Sequence, residues 1–353
     1  MDFRFDEDQE LLQTTVRDFL EGEVTPETIR ALWDTPTARS PELWKKLAEI
    51  GLPGLLVPEA HGGMGMSEEE LVLLLEEVGR AALAEPVIGT AAVAVPLLAD
   101  LGGSLAETWL PRIAAGEAVV AVGHPVSPFV EDAHVADLLL LTDADGALHA
   151  VPAGEAEITE QAANDPSRRI ASVSFSGSEA TLAASGQDAA QLLAATLDRG
   201  ALACAAAALG VCDRLITLSA EYTSERKQFG KPIGSFQAVK HMLANVKVKL
   251  EYARPVVQRA AHSVAHADPQ RAVHVSMAKL GACEAAGSGA KTALQAHGAI
   301  GYTWEQDLHL WMRRAWSLER AWGRSPFHLG RVREALFTGG IPIGPGTTFS
   351  ADA

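Results

Sequence analysis

Residues 221–246 read EYTSERKQFGKPIGSFQAVKHMLANV, and residues 295–323 read QAHGAIGYTWEQDLHLWMRRAWSLERAWG. Both are helical in pattern and both are interrupted at glycine, the first at GKPIG (230–234) and the second at AHGAIG (296–301). The second then resumes as a helix that ends in Trp322-Gly323. Taken singly, each has a plain structural reading: Arg226 and Lys227 as a solvated helix end, HGAIG as a turn that stops a helix. With a further break at AHADPQ (265–270), these interruptions divide the chain after about Gln187 into about four or five long helical segments.

Upstream the pattern changes twice. Between about residues 118 and 186, AVVAVG, ADLLLLTD, ALHAVPA and RIASVSFSG are short β-prone runs separated by turn residues such as DADG. That length suffices for a small sheet or a reduced barrel. Before it the chain reads as helices. DEDQELLQTTVRDFLEGEV places Leu11, Leu12, Val16, Phe19 and Leu20 close to helical spacing, with acids in the first turn. PELWKKLAEIGLPGLLVPEAHGGMGMSEEELVLLLEEVGR gives a helix, a Gly/Pro-marked loop and a second helix capped by Ser67, with Glu70 three residues on. AAVAVPLLADLG and SLAETWLPRIAAGE close the region. The expected fold class is mostly α with a small central β-domain: helices over 1–117, a reduced β-domain over 118–186, a helical bundle over 187–340 and a tail over 341–353. No internal repeat or low-complexity linker is evident.

Composition agrees. A chain of 353 residues, 48% hydrophobic but only 6% aromatic, suits two or three helix-rich subdomains with real cores. A net charge of −16 and a pI near 5.1 argue against nucleic acid as the main partner. Cys204, Cys212 and Cys283 have no metal-ligand spacing, and the first two lie in an alanine-rich helical stretch as small apolar residues. Reduced thiols suit the cytoplasm. The start, MDFRFDEDQELL, lacks a signal pattern. The longest apolar run, ALACAAAALGVC from Ala201, falls short of the roughly 18 residues of a membrane span. A cytoplasmic protein without a membrane span is expected.

Helices, a small β-domain and a helical bundle, in that order, resemble the acyl-CoA dehydrogenases. Arg226, Phe229, Gly230 and the later Gln237 match that family's Arg-x-x-Phe-Gly segment and following glutamine. Gln295, Gly298, Ala299 and Gly301 resemble its Gln-x-x-Gly-Gly-x-Gly segment, with Ala299 in place of the usual second glycine. GLPGLLVPEAHGGMGMSEEELVLLLEEVGR resembles its N-terminal loop and helix. In the family the two C-terminal segments reach across a subunit interface toward a neighbour's FAD. The resemblance therefore implies that Arg226, Gln228, Phe229, Gln237, Gln295, Gly298 and Ala299 contact an FAD shared across an interface. The chemistry is apt. A pyrophosphate needs a fixed cation and close backbone donors. Arg226 offers a permanently charged fork, Phe229 a flat apolar face and Gln295 an amide, while Gly298 and Gly301 admit close main-chain approach. His297 has two readings: a phosphate contact or an interhelical hydrogen bond.

The family's reaction removes the proton next to a thioester carbonyl while hydride leaves the adjacent carbon for flavin N5. Its base is a glutamate at one of two places. Counted from the motifs, these fall here at Trp322 and Gly200, neither of which accepts a proton. Among nearby acids, Asp198 lies on a different helix face from Gly200. Asp213 is the only acid between Gly200 and Ala220, and sits near the far end. Glu319, one turn before Trp322, is the one weak catalytic candidate, although a helical Glu beside Arg320 and Arg324 is more often ion-paired at the surface. Trp322 itself reads as packing. The segment VGHPVSPFVEDAHVADLLL (122–140) carries neither the Thr-Glu-Pro-x-x-Gly-Ser-Asp-like pattern nor, later, the Trp-x-x-Thr/Ser pattern that hold the flavin ring in the family.

These departures resemble the smaller subunit of the heterotetrameric acyl-CoA dehydrogenases that actinobacteria use on steroid side chains. The resemblance implies an α2β2 assembly with a longer acyl-CoA dehydrogenase-like partner that supplies the base. It implies an acyl-CoA substrate, α,β-dehydrogenation, and an electron-transfer flavoprotein as acceptor. Two alternatives stand beside it: a self-sufficient homotetramer using Glu319 as base, and a flavin-free scaffold.

Overall fold

The computed structural model describes residues 3–338 and Ile341, so the tail expected over 341–353 lies, Ile341 apart, outside the described residues. The chain opens with α1 (Glu7–Glu23), α2 (Pro26–Trp33), α3 (Pro41–Glu49) and α4 (Glu68–Arg80). A π-helical stretch, Val87–Ala94, runs directly into α5 (Val95–Leu101), followed by α6 (Gly103–Ala114). Seven strands come next: β1 (Val120–Val122), β2 (Val130–Glu131), β3 (Leu138–Thr142), β4 (Leu148–Pro152), β5 (Glu157–Gln161), β6 (Ile170–Ser174) and β7 (Leu182–Ala184). The rest is α7 (Gly186–Glu225), a hairpin of β8 (Lys227–Gln228) and β9 (Lys231–Pro232), then α8 (Gln237–Ala265), α9 (Arg271–His297), α10 (Leu308–Arg320) and α11 (Ser325–Phe337). The expected class, mostly helix around a small β-region, is what the chain adopts.

Local chemistry sets the element ends. Ser67 caps α4 as read: the Ser67 N–H and Oγ–H both donate to Glu70 Oε2, at 3.0 and 2.7 Å, and Ser67 Oγ accepts the N–H of Glu69, one residue short of the reciprocal box, at 3.1 Å.

The chain divides into two compact units, each assembled from separated stretches. One comprises Glu21–Leu74 and Leu83–Ala203. It holds a four-stranded sheet, ordered β1-β3-β4-β7, and a three-stranded sheet, β2-β6-β5; β1 and β3 are parallel and every other pair is antiparallel. Ala121, Leu139, Leu141 and Val151 from the first sheet pack with Val130 and Ala171 from the second in one apolar core. The four strands read from sequence are present as β1, β3, β4 and β6. The three that were missed, β2, β5 and β7, all lie at sheet edges, where no continuous apolar face marks them. A buried ion pair crosses this unit. Arg39 Nε donates to Asp132 Oδ1 at 3.1 Å, and Arg39 Nη1 donates to the Ala38 and Ser167 carbonyls, each at 2.8 Å. Beside it Glu85, 6% exposed, accepts the Ser40 N–H at 2.8 Å.

The other unit comprises Met1–Leu20, Leu75–Ala82 and Cys204–Ala353. Its centre is the last part of α4. Glu77 receives Arg17 at 2.7 Å and Gln13 at 2.8 Å, Glu76 receives Arg254 at 2.6 Å, Arg80 pairs with Asp213, and the Arg80 carbonyl accepts Trp311 Nε1–H at 2.8 Å. Helices α4 and α7 meet backbone to backbone. A Cβ at Gly79 would stand 1.9 Å from the Ala207 carbonyl oxygen, and one at Gly210 would stand 1.7 Å from that of Glu76.

The run ALACAAAALGVC sits inside α7, whose 40 residues include an 18-residue window with a mean hydropathy of 1.7. By length and composition this helix could cross a membrane, which the shorter run did not suggest. Yet 72% of the window is buried within the fold, so it is a core helix.

Candidate cofactor-binding face

The seven residues expected at a cofactor all lie in the unit that contains α8 to α11. At the end of α7 the Arg226 N–H donates to the Tyr222 carbonyl at 2.9 Å, and the Arg226 carbonyl accepts the Ile233 N–H at 2.8 Å. The backbone at the hairpin root is thus fixed from both sides. The Arg226 guanidinium is exposed and makes no hydrogen bond or ion pair among the described residues.

Lys227 pairs with Pro232 and Gln228 with Lys231, leaving Phe229 and Gly230 as a two-residue loop. Their φ values, 55° and 78°, give the mirror-image turn that matches the twist of the flanking strands. For phenylalanine that conformation costs about 1–2 kcal/mol. The ring it carries is 91% exposed. A costly backbone state holding a bare aromatic face outward is intelligible as part of a binding surface. Gln228 is also exposed and its Nε2 donates to the Lys227 carbonyl at 2.9 Å. Gln237 is the exposed first residue of α8, whose N-cap, Phe236, provides no side-chain acceptor. A 29-residue helix therefore presents its positive end without a cap.

The second segment closes α9. Gln295 is exposed in its last turn. Gly298 takes φ 64° and ψ −139°, a combination essentially restricted to glycine, and its N–H donates to the Leu294 carbonyl. A Cβ there would meet nothing within 4 Å, so the space above this backbone is open. Ala299, exposed, follows in the 3₁₀ turn Gly298–Tyr302. Gly301 behaves otherwise than the ligand-approach reading proposed: it is buried, with His297 Cβ and Leu294 Cδ1 each 3.1 Å from where its Cβ would be.

His297 joins the two segments. It is 6% exposed, its Nδ1–H donates to the Ala293 carbonyl at 2.8 Å, and its ring stacks on Tyr222 with centroids 4.4 Å apart and planes 17° apart. Burial holds its pKa below the ordinary value. The hydrogen bond between helices that the sequence suggested for His297 is not the one formed: its bond runs within α9, and its contact with α7 is a ring stack. Tyr302, 79% exposed, and Trp304, 63% exposed with the Arg313 guanidinium 4.7 Å over its ring, extend the exposed aromatic surface. The sequence reading passed them over; the signal was two large rings inside a glycine-broken loop.

The positions counted for a base look different. Trp322 follows α10 in a left-handed conformation, φ 53°, and its carbonyl accepts His328 Nε2–H at 2.9 Å. His328 is completely buried, with Nδ1 3.1 Å from Ser276 Oγ, which also accepts from Arg331 at 3.3 Å. Burial, then the nearby Lys279 and Arg331 charges, push the His328 pKa down to about 4. Lys279 is itself 2% exposed and donates Nζ–H to the Leu318 carbonyl. Glu319 is half-buried and accepts Ser325 Oγ–H at 3.1 Å, which ties the end of α10 to the start of α11. In the other unit Gly200 is buried in α7, and its neighbour Arg199 pairs with Glu68 at 3.3 Å and Asp100 at 2.5 Å. Asp198 is 3% exposed.

The surface built by residues 226–237 and 295–304 can grip a planar, anionic ligand. It offers a guanidinium without a partner among the described residues, an uncapped helix start, unobstructed space at the Gly298 turn and exposed aromatic rings, a set that suits a ligand with a diphosphate and flat rings.

Comparison with known proteins gives the family. Residues 6–117 match the acyl-CoA dehydrogenase N-terminal domain and residues 190–337 match the acyl-CoA dehydrogenase C-terminal domain. The chain is 34% identical to acyl-CoA dehydrogenase IpdE2 of Mycolicibacterium smegmatis, over 94% of this chain and 99% of that protein. It is 31% identical to IpdE2 of Mycobacterium tuberculosis, over 88% and 91%. Among solved structures, the ChsE4-ChsE5 complex from Mycobacterium tuberculosis contains a chain that superposes with a TM-score of 0.86 at 28% identity, covering 97% of this chain and all of that one. A variant of the Tcur3481-Tcur3483 steroid ACAD gives 0.85 at 26% identity, covering 95% and 99%. With two domain matches that flank the strand region and relatives alike from end to end, this chain belongs to the acyl-CoA dehydrogenase family.

Proposed function

We propose that this chain is one subunit of a flavin-dependent acyl-CoA dehydrogenase and that it shares each FAD with a longer related subunit in an α2β2 assembly. Arg226 pairs with the pyrophosphate; Gln228, Phe229, Gln237, Gln295, Gly298 and Ala299 complete the edge that this chain lends. FAD, when bound, supplies the hydride acceptor. The partner supplies the carboxylate that takes the proton next to the thioester.

One observation carries this reading: the two places where the family keeps its base are Trp322 and Gly200, and the surroundings of Trp322 are cationic and internally satisfied, while the cofactor edge is left open. A proton-abstracting carboxylate needs an apolar or acidic setting that raises its pKa, and Lys279 with Arg331 supply the reverse. Glu319 is engaged by Ser325, which weighs against a self-sufficient homotetramer. The likeness to chains of a named two-protein complex and of a steroid ACAD supports the paired assembly and a steroid side-chain thioester as substrate. Family membership supports an electron-transfer flavoprotein as the acceptor. The cytoplasm suits three buried free thiols. A division at 117 and 186 into N-terminal helical, reduced β and C-terminal helical domains goes with this reading.

The test is to purify the chain alone and together with a longer acyl-CoA dehydrogenase-like protein from the same organism, recording flavin absorbance and acyl-CoA-dependent dye reduction each time. Flavin and turnover are expected only from the pair. Yellow, active protein from this chain alone overturns the proposal, and a colourless pair points to the flavin-free scaffold.

A further inference from the structure

We infer that Tyr222 and His297 are positioning residues, a ring-on-ring bracket that fixes the Arg226 hairpin against the Gly298 turn so that both reach one cofactor. The inference rests on the cofactor role proposed above and adds to it a pair that no motif assigns to the ligand.

Each ring is covalently and hydrogen-bonded next to one half of the grip. Tyr222 lies four residues before Arg226, and its carbonyl accepts the Arg226 N–H at 2.9 Å. His297 directly precedes Gly298, and its Cβ stands 3.1 Å from where Gly301 would carry one. Shift either ring and the attached segment shifts too.

The pair is fixed in orientation as well as in contact. A carbonyl can only accept, so the 2.8 Å bond to Ala293 places the proton of the neutral imidazole on Nδ1 and limits rotation of the ring. With Nδ1 so committed, the neutral ring has no N–H left for a phosphate. Burial disfavours the imidazolium that would have one. His297 therefore acts through the turn and not on the ligand. Nearly parallel planes at 4.4 Å resist sliding, because the contact is lost when the rings cease to overlap. Holding a guanidinium fork and the Gly298 turn against one diphosphate needs placement within roughly 0.5 Å, and a tie between the two segments serves that placement.

The experiment uses the flavin-bearing assembly that contains this chain, with FAD as the probe. Release of FAD and the shape of its visible absorption band are recorded for Tyr222→Ala, His297→Ala, the double variant, Tyr222→Phe, His297→Phe and His297→Gln, with thermal unfolding as the check on folding. Each alanine variant is expected to hold FAD about tenfold more weakly, and the double variant no more weakly than the worse single, because the rings act as one unit. The phenylalanine variants keep a ring and should stay within about threefold of the parent. His297→Gln can still bond to Ala293 but has no ring, and should lose grip while remaining folded; it serves if the alanine variants do not fold. Losses that multiply in the double variant, or phenylalanine variants as weak as alanine, overturn the bracket. Arg226→Ala separates the two claims. If it releases FAD while the ring variants do not, the bracket alone fails; if it retains FAD, the cofactor reading fails first.

Discussion

The Arg226 hairpin and the Trp322 connection both interrupt the helices of the same unit, and both contain an aromatic residue at positive φ, yet they end oppositely. At the hairpin Phe229 is 91% exposed and the neighbouring guanidinium has no protein partner among the described residues. At the Trp322 connection the backbone carbonyl is capped by His328, Leu318 is capped by Lys279, and Glu319 is occupied by Ser325. Unmet hydrogen-bonding and apolar demand marks the surface that awaits something from outside. Demand met entirely from within marks a place that has become framework. Substitutions should accordingly change binding at the first and stability at the second.

The largest expected effect lies in the closed region. His328→Ala removes a fully buried ring and leaves the Trp322 carbonyl without its donor, and should cost about 3–5 kcal/mol in urea unfolding. A change below about 1 kcal/mol would mean that this region is not closed after all.

The next effect is a pH slope. His328 ordinarily titrates at 6.5 but in the fold at about 4, so below 6.5 the unfolded chain binds the proton first and stability falls as pH drops toward 4. The whole window amounts to about 3 kcal/mol. Glu85 in the other unit acts in the opposite sense: burial raises it from 4.5 to about 7, so the folded chain binds the proton first and stability falls as pH rises from 4.5 to 7. Where both units unfold together the two slopes oppose each other. Glu85→Gln, whose amide oxygen can still accept the Ser40 N–H, should expose the acid lability of His328 and raise stability at pH 8 by about 3 kcal/mol. Identical pH profiles for parent and variant would remove Glu85 from this account.

At the open region, Phe229→Gly should relieve the strained turn and add about 1 kcal/mol of stability while weakening FAD retention in the assembly. A gain in stability with FAD retention unaltered would separate the strain from binding. The smallest effect is expected of Glu319→Gln, which keeps an acceptor for Ser325 and should change stability by about 0.5 kcal/mol at most, with turnover within about twofold. A loss of several orders of magnitude would revive Glu319 as the base.

What the sequence made legible was local. The Ser67–Glu70 cap, the apolar runs of β3 and β4, and the breaks between α7, α8, α9 and α10 are each specified by residues within a few positions of one another. The motif residues could be named for the same reason. Strands β2, β5 and β7 escaped because an edge strand need not alternate cleanly; the exposed and half-exposed positions of Glu157–Gln161 give no buried stripe. Partners far apart in sequence escaped entirely. Arg39 finds Asp132, Tyr222 finds His297 and Lys279 finds Leu318 only once helices and sheets have packed, and no periodicity encodes those meetings. That Trp322 and Gly200 carry no carboxylate was legible because it is a matter of residue type at a counted position, whereas the Lys279 and Arg331 charges near His328 are brought there by α9 and α11.

The contact of Gly79 with Ala207 and of Gly210 with Glu76 bears on anyone who would engineer this protein. Replacing a mid-helix glycine by alanine is a standard thermostabilising move, worth about 1 kcal/mol when the site is open. Here the customary advice reverses, because neither helix can retreat to admit even a methyl group. Libraries aimed at hardiness should hold those two codons constant and look for gains elsewhere on the surface.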